Sequence, residues 1–150
     1  MTHLWATGSA IFGSIVVYLT GQLLSKTFLD PLYELRKVIG EVRFNLAYHS
    51  ATIHTPAART PDASDKAREA LMKSSSDLLA KSHAILLYEE LRFLFRLPSR
   101  SKIERAAVRL RGLSTHVHES ESKPDNSEII IKRVKLIEQL LDLKSLEDIE

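Results

Sequence analysis

The sequence contains no cysteine among its 150 residues. Disulfide bonds, thiolate zinc sites, iron–sulfur clusters and cysteine nucleophiles are therefore excluded. Glycine and proline are scarce, with five of each, which rules out collagen-like and low-complexity chains. Because 44% of the residues are hydrophobic, the chain has enough apolar material for one ordinary domain, or for a small domain with an anchor.

Charge is absent from one part of the chain. The totals of 21 Lys plus Arg and 19 Asp plus Glu give a net charge of +2, which does not indicate a nucleic-acid binder. Residues 1–25 contain none of these charged residues, whereas residues 101–118 carry four basic groups and one acidic group. Residues 119–150 carry five basic and nine acidic groups. The chain therefore has an uncharged head, a mildly basic middle and an acidic tail.

The uncharged head contains a continuous run of 21 residues from Leu4 to Leu24. As a helix this run would be about 30 Å long, which matches the hydrocarbon core of a bilayer. It lacks the basic leader and small-residue cleavage site of a secretory signal. It also lacks the polar stripe of a helix that packs on a soluble domain. We therefore expect a retained single-pass anchor at residues 1–25.

Basic residues after this run set its expected orientation. Lys26, Arg36, Lys37 and Arg43 follow the run, and no Lys or Arg precedes it. The positive-inside rule then predicts that the N-terminus lies outside and that the C-terminal body lies in the cytoplasm, at the inner membrane.

Small residues repeat at intervals of four within the run. Ala6, Ala10 and Ser14 form one series, and Ser9 and Gly13 form another beside it. This spacing lets two helices approach closely in lipid, so it predicts a homo-oligomer formed through this face. The alternative is that Gly, Ala and Ser are simply common in membrane helices.

Residues 26–55 have the pattern of an amphipathic juxtamembrane helix. Asp30 and Pro31 suit the N-cap and the first position of a helix, so we expect the helix to restart there with a kink. Apolar residues then recur at spacings of three and four until the chain reaches a proline-containing loop. They are Leu32, Leu35, Ile39, Val42, Leu46 and Ile53.

Two resemblances accompany this pattern. Pro31, Leu32, Leu35, Ile39 and Gly40 are similar to the first helix of a HAMP signal-relay module, whose paired heptad helices form a parallel four-helix coiled coil. Most of the stretch 21–114 resembles an uncharacterised family of small bacterial proteins with an N-terminal membrane anchor and a helical cytoplasmic body. That resemblance implies the architecture and no activity. Its shared segments are Gly21-Gln22, Asp30-Pro31, Val38-Ile39-Gly40-Glu41, Leu97-Pro98-Ser99-Arg100 and Gly112-Leu113-Ser114.

Residues 62–118 are predicted to form a helical body. The dense apolar and aromatic run from Ile85 to Leu97 is typical of a core. Ser101 and Glu104 have the spacing of a capping box, which predicts that a helix starts there. Helical spacing defines two apolar faces in this region. They comprise Ala67, Leu71, Leu78 and Ile85, and then Ile103, Ala106, Ala107, Leu110 and Leu113.

The C-terminal part is predicted to be a linker at residues 119–127 and an amphipathic helix at residues 128–150. The apolar face of this helix is broad and must be buried, either on the body of the same chain or on a partner. No segment alternates polar and apolar residues as a half-buried strand does. The expected class is therefore all-α: an N-terminal transmembrane helix followed by a cytoplasmic bundle of about four helices.

The sequence offers no motif for catalysis, cofactor binding or metal binding, and we do not expect an enzyme. It has no G-x-S-x-G, no glycine-rich phosphate loop and no histidine set with ligand spacing. Basic residues before and within the fourth helix are candidates for contact with anionic lipid, the alternative being a solvated face. Nucleic acid is not an expected partner because no recognition motif accompanies them. The candidates are Arg96, Arg100, Lys102, Arg105 and Arg109.

These features favour a membrane-anchored scaffold, adaptor or self-assembling interaction module. Its partners would be the lipid bilayer, an unidentified protein and a second copy of the chain. Two alternatives stay open. In the first, the chain is a membrane-perturbing, toxin-like effector that oligomerises through its transmembrane helix. In the second, it relays a signal from the membrane to the cytoplasm.

Overall fold

A computed structural model of the chain describes residues 2–55, 59–118 and 126–143. Within helices, the side chains of residues 2–12, 118, 126 and 127 lie outside this description. The described residues form helices and contain no strand, which confirms the predicted all-α class. Most of the linker predicted for residues 119–127, and the end of the predicted C-terminal helix after residue 143, lie outside the described residues.

The described residues form seven α-helices and one π-helical turn. The chain begins with α1 (Thr2–Leu24), the π-helical turn (Ser25–Leu29) and α2 (Asp30–Tyr48). The remaining helices are α3 (Ser50–His54), α4 (Pro61–Ala84), α5 (Tyr88–Phe95), α6 (Arg100–His118) and α7 (Asn126–Leu140).

Helix α1, the π-helical turn and α2 follow one another without a break. Leu24, Leu29 and Asp30 all have right-handed helical dihedral angles, and no side chain caps either junction. The Asp30 N–H donates to the carbonyl of Ser25, five residues earlier. This wider turn accommodates Pro31, whose ring in a regular α-helix would collide with the carbonyl four residues before it. The predicted restart with Asp30 as N-cap is therefore wrong, because the helix does not end there.

Helix α4 runs antiparallel to both α2 and α6. Near the start of α2, Glu34 lies 3.6 Å from Lys81 near the end of α4. At the start of α6, Arg100 Nη2 donates to the carbonyl of Ile85, directly after α4, at 3.3 Å. The start of α2, the end of α4 and the start of α6 therefore lie at the same end of the body.

Helix α7 completes a bundle of four helices, the number that the sequence predicts, and the structure shows their topology to be up-down-up-down. Lys102, near the start of α6, lies 3.4 Å from Asp142, which follows α7. Helix α7 therefore ends where α2 and α6 begin. We call this end of the bundle the proximal end, because α1 and the π-helical turn join the body there.

The core is made from one face of each bundle helix. The predicted apolar faces of α2, α4 and α6 are confirmed, because their residues are buried. Helices α4 and α6 are joined by the fully buried Ser75, whose hydroxyl donates to the carbonyl of Ala107 at 2.8 Å. Next to it, Ser74 Oγ accepts a hydrogen bond from Asn45 of α2 at 2.9 Å. Serines that only lower helix propensity in the sequence thus connect three helices in the structure.

Helix α7 buries its broad apolar face against the body of the same chain. It packs on α6 and α3, and this answers the question that the sequence leaves open. Ile129 and Ile131, at the edge of the face, are 43% and 41% exposed. The centre of the face is therefore not free to receive a partner. The buried residues are Ile130, Val134, Ile137, Leu140 and Leu141.

Three predicted helices have boundaries that differ from the structure. The C-terminal helix predicted for residues 128–150 begins at Asn126 and ends at Leu140. The helix expected to reach Ile53 ends at Tyr48 and resumes as α3, because His49 leaves the helical region with φ −95° and ψ 13°. The predicted capping box at Ser101 and Glu104 does not form the start of α6, because that helix already begins one residue earlier. The Glu104 carboxylate instead lies 3.5 Å from the imidazole of His83 in α4.

Candidate interaction surfaces

The described part of α1, residues 13–24, contributes no residue to the buried core and exposes its apolar side chains. Its main contacts are with the π-helical turn that follows it. The large apolar side chains along its described part are 46–73% exposed. A continuous apolar surface of this kind is typical of a segment that lipid or another protein covers. The residues are Ile15, Val16, Val17, Tyr18, Leu19, Leu23 and Leu24.

The predicted anchor at residues 1–25 is described only in part. Taken over their described residues, the helices include none that is long and apolar enough to cross a membrane. Of the residues predicted to associate membrane helices, Ala6, Ser9 and Ala10 have side chains outside the described part of the chain. Gly13 and Ser14 lie on the described part of α1, and a Cβ placed on Gly13 would have no neighbour within 4 Å.

The proximal end of the body carries a second exposed apolar surface. The chain crosses this end between α4 and α6, and α5 lies within that connection. Ile85, Tyr88 and Leu97 are buried, but four large apolar side chains are 61–77% exposed. The prediction that the whole run from Ile85 to Leu97 is core is therefore wrong. We call the four exposed residues, Leu86, Leu87, Phe93 and Leu94, the α5 surface.

Sequence reasoning missed the α5 surface because a dense apolar run looks like a core segment. The signal that could have found it is the pairing of apolar residues at 86–87 and 93–94. Consecutive residues of a helix point about 100° apart, so the pair at 93–94 supplies more apolar surface than one buried face can accept. The pair at 86–87 lies in the turn before α5. The backbone provides the remaining explanation: Leu87 and Arg96, which flank α5, adopt left-handed conformations with φ 53° and 50°. The short helix between them turns one side to the bundle and the other side outward.

Tyr88 attaches α5 to the start of α6. Its side chain is buried, and its hydroxyl donates to the carbonyl of Pro98 at 2.5 Å. The guanidinium of Arg100 lies 5.2 Å from the centre of its ring. Burial, and to a smaller extent the negative charge of Glu89, raises the pKa of Tyr88 to about 12, against the opposing effect of nearby arginines.

We expect the Tyr88 hydroxyl to make the body less stable as the pH rises from about 10 to about 12. In this range the unfolded chain loses the phenol proton at its ordinary pKa, whereas the folded chain retains it, so deprotonation favours unfolding. Tyr88→Phe should remove this part of the decline. It should also cost about 1 kcal/mol at neutral pH, because the Pro98 carbonyl loses its donor.

Denaturant unfolding across this pH range measures both effects. Tyr48→Phe is the matched control, because the Tyr48 side chain is 71% exposed. A decline in Tyr88→Phe as steep as that of the unchanged protein would contradict the assigned pKa.

Three of the five basic residues predicted to contact lipid have structural partners. Arg105 Nε donates to the carbonyl of Ser101, one turn earlier in α6, at 3.3 Å. Arg100 Nη2 donates to the carbonyls of Ser82 and Ile85, each at 3.3 Å. It therefore supplies positive charge at the C-terminal end of α4, where the helix dipole favours a cation. Lys102 pairs with Asp142 at the end of α7.

The candidates other than Arg100 and Lys102 lie in two separate places. Arg105 and Arg109 line a groove of about 300 Å³ between α6 and α7, whose apolar wall includes Leu136 and Leu140. Arg96 is exposed at the proximal end, directly after α5. Arg96 is the member of the five that lies beside the α5 surface.

The described residues include no cluster of three or more His, Asp or Glu side chains that could hold a metal ion. The described residues instead expose large apolar side chains on α1 and around α5. Comparisons of this chain with protein-family models, curated proteins and solved structures gave no match.

Proposed function

We propose that this chain is a single-pass membrane protein whose helical body acts as a scaffold, adaptor or self-assembling interaction module, without catalysis. Residues 1–25 would be the anchor, with the N-terminus outside and the body on the cytoplasmic side of the inner membrane. The observation that carries this proposal is the contrast between α1 and the body. The apolar side chains of α1 from Ile15 to Leu24 are 46–73% exposed, whereas the bundle helices bury their apolar faces against one another.

The bundle supports this proposal because none of the described side chains of α1 belongs to its core. The buried core begins at Leu32 in α2 and ends at Leu141 after α7. The residues from Leu4 to Leu24 carry no charge, and Lys26 is exposed in the π-helical turn where that run ends. This is the position in which a basic residue favours a cytoplasmic location for the chain that follows.

Membrane extraction and a topology reporter test this proposal together. We expect the full chain to stay in the membrane pellet after alkaline carbonate washing, because an inserted helix resists this treatment whereas peripheral contacts do not. A reporter fused after Glu150 should be active only if it functions in the cytoplasm. Recovery of the chain in the carbonate supernatant, or activity of a reporter that works only outside the cytoplasm, would refute the proposal.

Self-assembly through α1 gives a separate prediction for Gly13→Leu. This substitution should reduce the yield of crosslinked oligomers in membranes, because a leucine keeps two closely approaching helices apart. The fold of one copy should not change, since the position of the added Cβ has no neighbour within 4 Å. Ile15→Leu is the control, because residue 15 points about 200° away from Gly13 around the helix. If both variants crosslink as the unchanged chain does, assembly does not use the Gly13 face.

The unbroken passage from α1 into α2 favours signal relay as a second candidate function. With no flexible joint at the π-helical turn, a rotation or shift of α1 would be transmitted directly to the bundle. Inserting one, two, three or four alanines after Leu29 rotates the body by about 100° for each added residue. Crosslinking between copies through a cysteine at the exposed Val108 should then vary with a period of about 3.6 residues. A yield that does not depend on the number of inserted residues would exclude relay through this helix.

A further inference from the structure

The α5 surface is held outward by the backbone on both sides of the short helix. Its four side chains are exposed by 61% at Leu86, 61% at Leu87, 71% at Phe93 and 77% at Leu94. The left-handed conformations at Leu87 and Arg96 are ones that residues other than glycine rarely adopt. Tyr88 and Leu97 hold the other side of the connection in the core. The fold therefore keeps a fixed apolar surface in contact with the surroundings.

The α5 surface lies close to the point where the anchor joins the body. Arg36 in α2 donates to the carbonyl of Phe95, the last residue of α5, and so joins α5 to the proximal part of α2. Seven residues separate Arg36 from Leu29, which is 50% exposed near the start of the body. That distance corresponds to a rise of about 10 Å, and the headgroup layer of one leaflet is roughly 5–8 Å thick. The carbonyl of Phe95 is therefore held by a residue that lies about 10 Å along the helix from Leu29, close to the thickness of this layer.

The charges around the α5 surface nearly cancel. Glu89 lies 2.5 Å from Arg92, and the Arg92 guanidinium lies 4.1 Å from the centre of the Phe93 ring. Glu90 and Arg96 are both exposed. With two acidic and two basic residues, the segment gains little from anionic lipid, and transfer of apolar side chains out of water would be the main driving force. Arg92 suits an interfacial position, since its stem can lie on apolar surface while its charged head reaches water.

We infer that the α5 surface is a second membrane contact, which inserts into the interfacial layer of the bilayer that α1 spans and fixes the orientation of the body on it. This inference rests on the proposed function, because only an inserted α1 brings the proximal end to the lipid. The surface lies at the end of the bundle where the anchor joins, not on its side. This position favours contact with a lipid surface over contact with a second copy of the chain.

Nitroxide labelling tests the inference directly, because the chain has no cysteine of its own. The full chain, carrying a single label at Leu94→Cys, is reconstituted into vesicles of phosphatidylcholine and phosphatidylglycerol. Accessibility to oxygen, which concentrates in the bilayer, is compared with accessibility to a water-soluble nickel chelate. Tyr48→Cys is the matched control, since its side chain is 71% exposed at the other end of α2, about 27 Å from Asp30. Val17→Cys, at a side chain that is 73% exposed, reports on the insertion of α1 itself.

We expect Leu94→Cys and Val17→Cys to favour oxygen and Tyr48→Cys to favour the nickel chelate. Adding Phe93→Ser to Leu94→Cys should lower the ratio of docked to undocked body about tenfold, because it removes a large apolar side chain from the contact. Replacing phosphatidylglycerol by phosphatidylcholine should leave the Leu94 result almost unchanged.

Three results would overturn the inference, and they have different meanings. If Leu94→Cys is more accessible to the nickel chelate while Val17→Cys is more accessible to oxygen, the α5 surface does not contact the membrane, but the proposal that α1 is inserted still holds. If Val17→Cys favours the nickel chelate, the proposed function itself fails and the inference fails with it. If Leu94→Cys is shielded from both reagents and its spectrum sharpens on dilution with unlabelled chain, a second copy covers the surface.

Discussion

Leu110→Ala is expected to lower the free energy of unfolding of the body by about 2–5 kcal/mol. Leu110 is fully buried in α6, the helix that packs on both α4 and α7. Truncation would remove apolar contacts and leave a cavity between helices that cannot fully close around it. Because domains are stable by only about 5–15 kcal/mol, this is a large part of the total. Denaturant unfolding of the full chain, followed by circular dichroism, measures the change.

Val108→Ala is the matched control for this prediction. It lies two residues earlier on the same helix, but its side chain is 68% exposed. We expect its effect on the free energy of unfolding to stay within about 0.5 kcal/mol. Equal losses in the two variants would contradict the assignment of the α6 face to the core.

Ile15→Arg is expected to release the chain from the membrane while the body stays folded. The nine Leu, Ile, Val and Phe residues between Leu4 and Leu24 supply about −3 to −5 kcal/mol of insertion free energy. An arginine near the centre of the span opposes insertion by about 2.5–3.5 kcal/mol, which removes most of this gain. Ile15 is 50% exposed and lies outside the bundle core, so the substitution should not disturb packing. The fraction of chain resistant to carbonate extraction measures the effect.

Gln22→Arg introduces the same charge near the end of the run and serves as the control. There the arginine can extend to the headgroups, and it adds to the basic residues that favour a cytoplasmic body. We expect this variant to remain membrane-bound. An Ile15→Arg chain retained as well as Gln22→Arg would show that α1 is not held in the bilayer by its apolar surface.

The sequence predicts the helical class and the core faces well, because spacings of three and four have one simple physical meaning. Leu35, Leu71 and Leu110 recur in register with other apolar residues, and all three are buried. The start of α4 follows from local chemistry in the same way. Thr60 accepts a hydrogen bond from the Ala63 N–H, and Pro61 occupies the first turn.

Features that depend on distant partners were not predictable from local pattern. Arg100 looks like one more exposed cation in the sequence, but the fold brings it to the end of α4, eighteen residues before it in the chain. Asp30 and Pro31 are suited to a helix start, but in the structure the helix continues through them. The π-helical turn makes this possible because it gives the ring of Pro31 the space that a regular α-helix lacks. The outward position of Phe93 depends on the left-handed conformations of Leu87 and Arg96, which no local sequence motif predicts.

Cysteine accessibility in intact cells tests the central claim most directly, since the chain has no cysteine that would compete for label. Single-cysteine chains with Thr2→Cys or Tyr48→Cys are treated with a membrane-impermeant maleimide before and after the inner membrane is permeabilised. A single-pass anchor with a cytoplasmic body predicts labelling of Thr2→Cys in intact cells and of Tyr48→Cys only after permeabilisation. Labelling of both positions to the same extent in intact cells, or of neither until permeabilisation, would contradict it, because the two residues would then lie on the same side of the membrane.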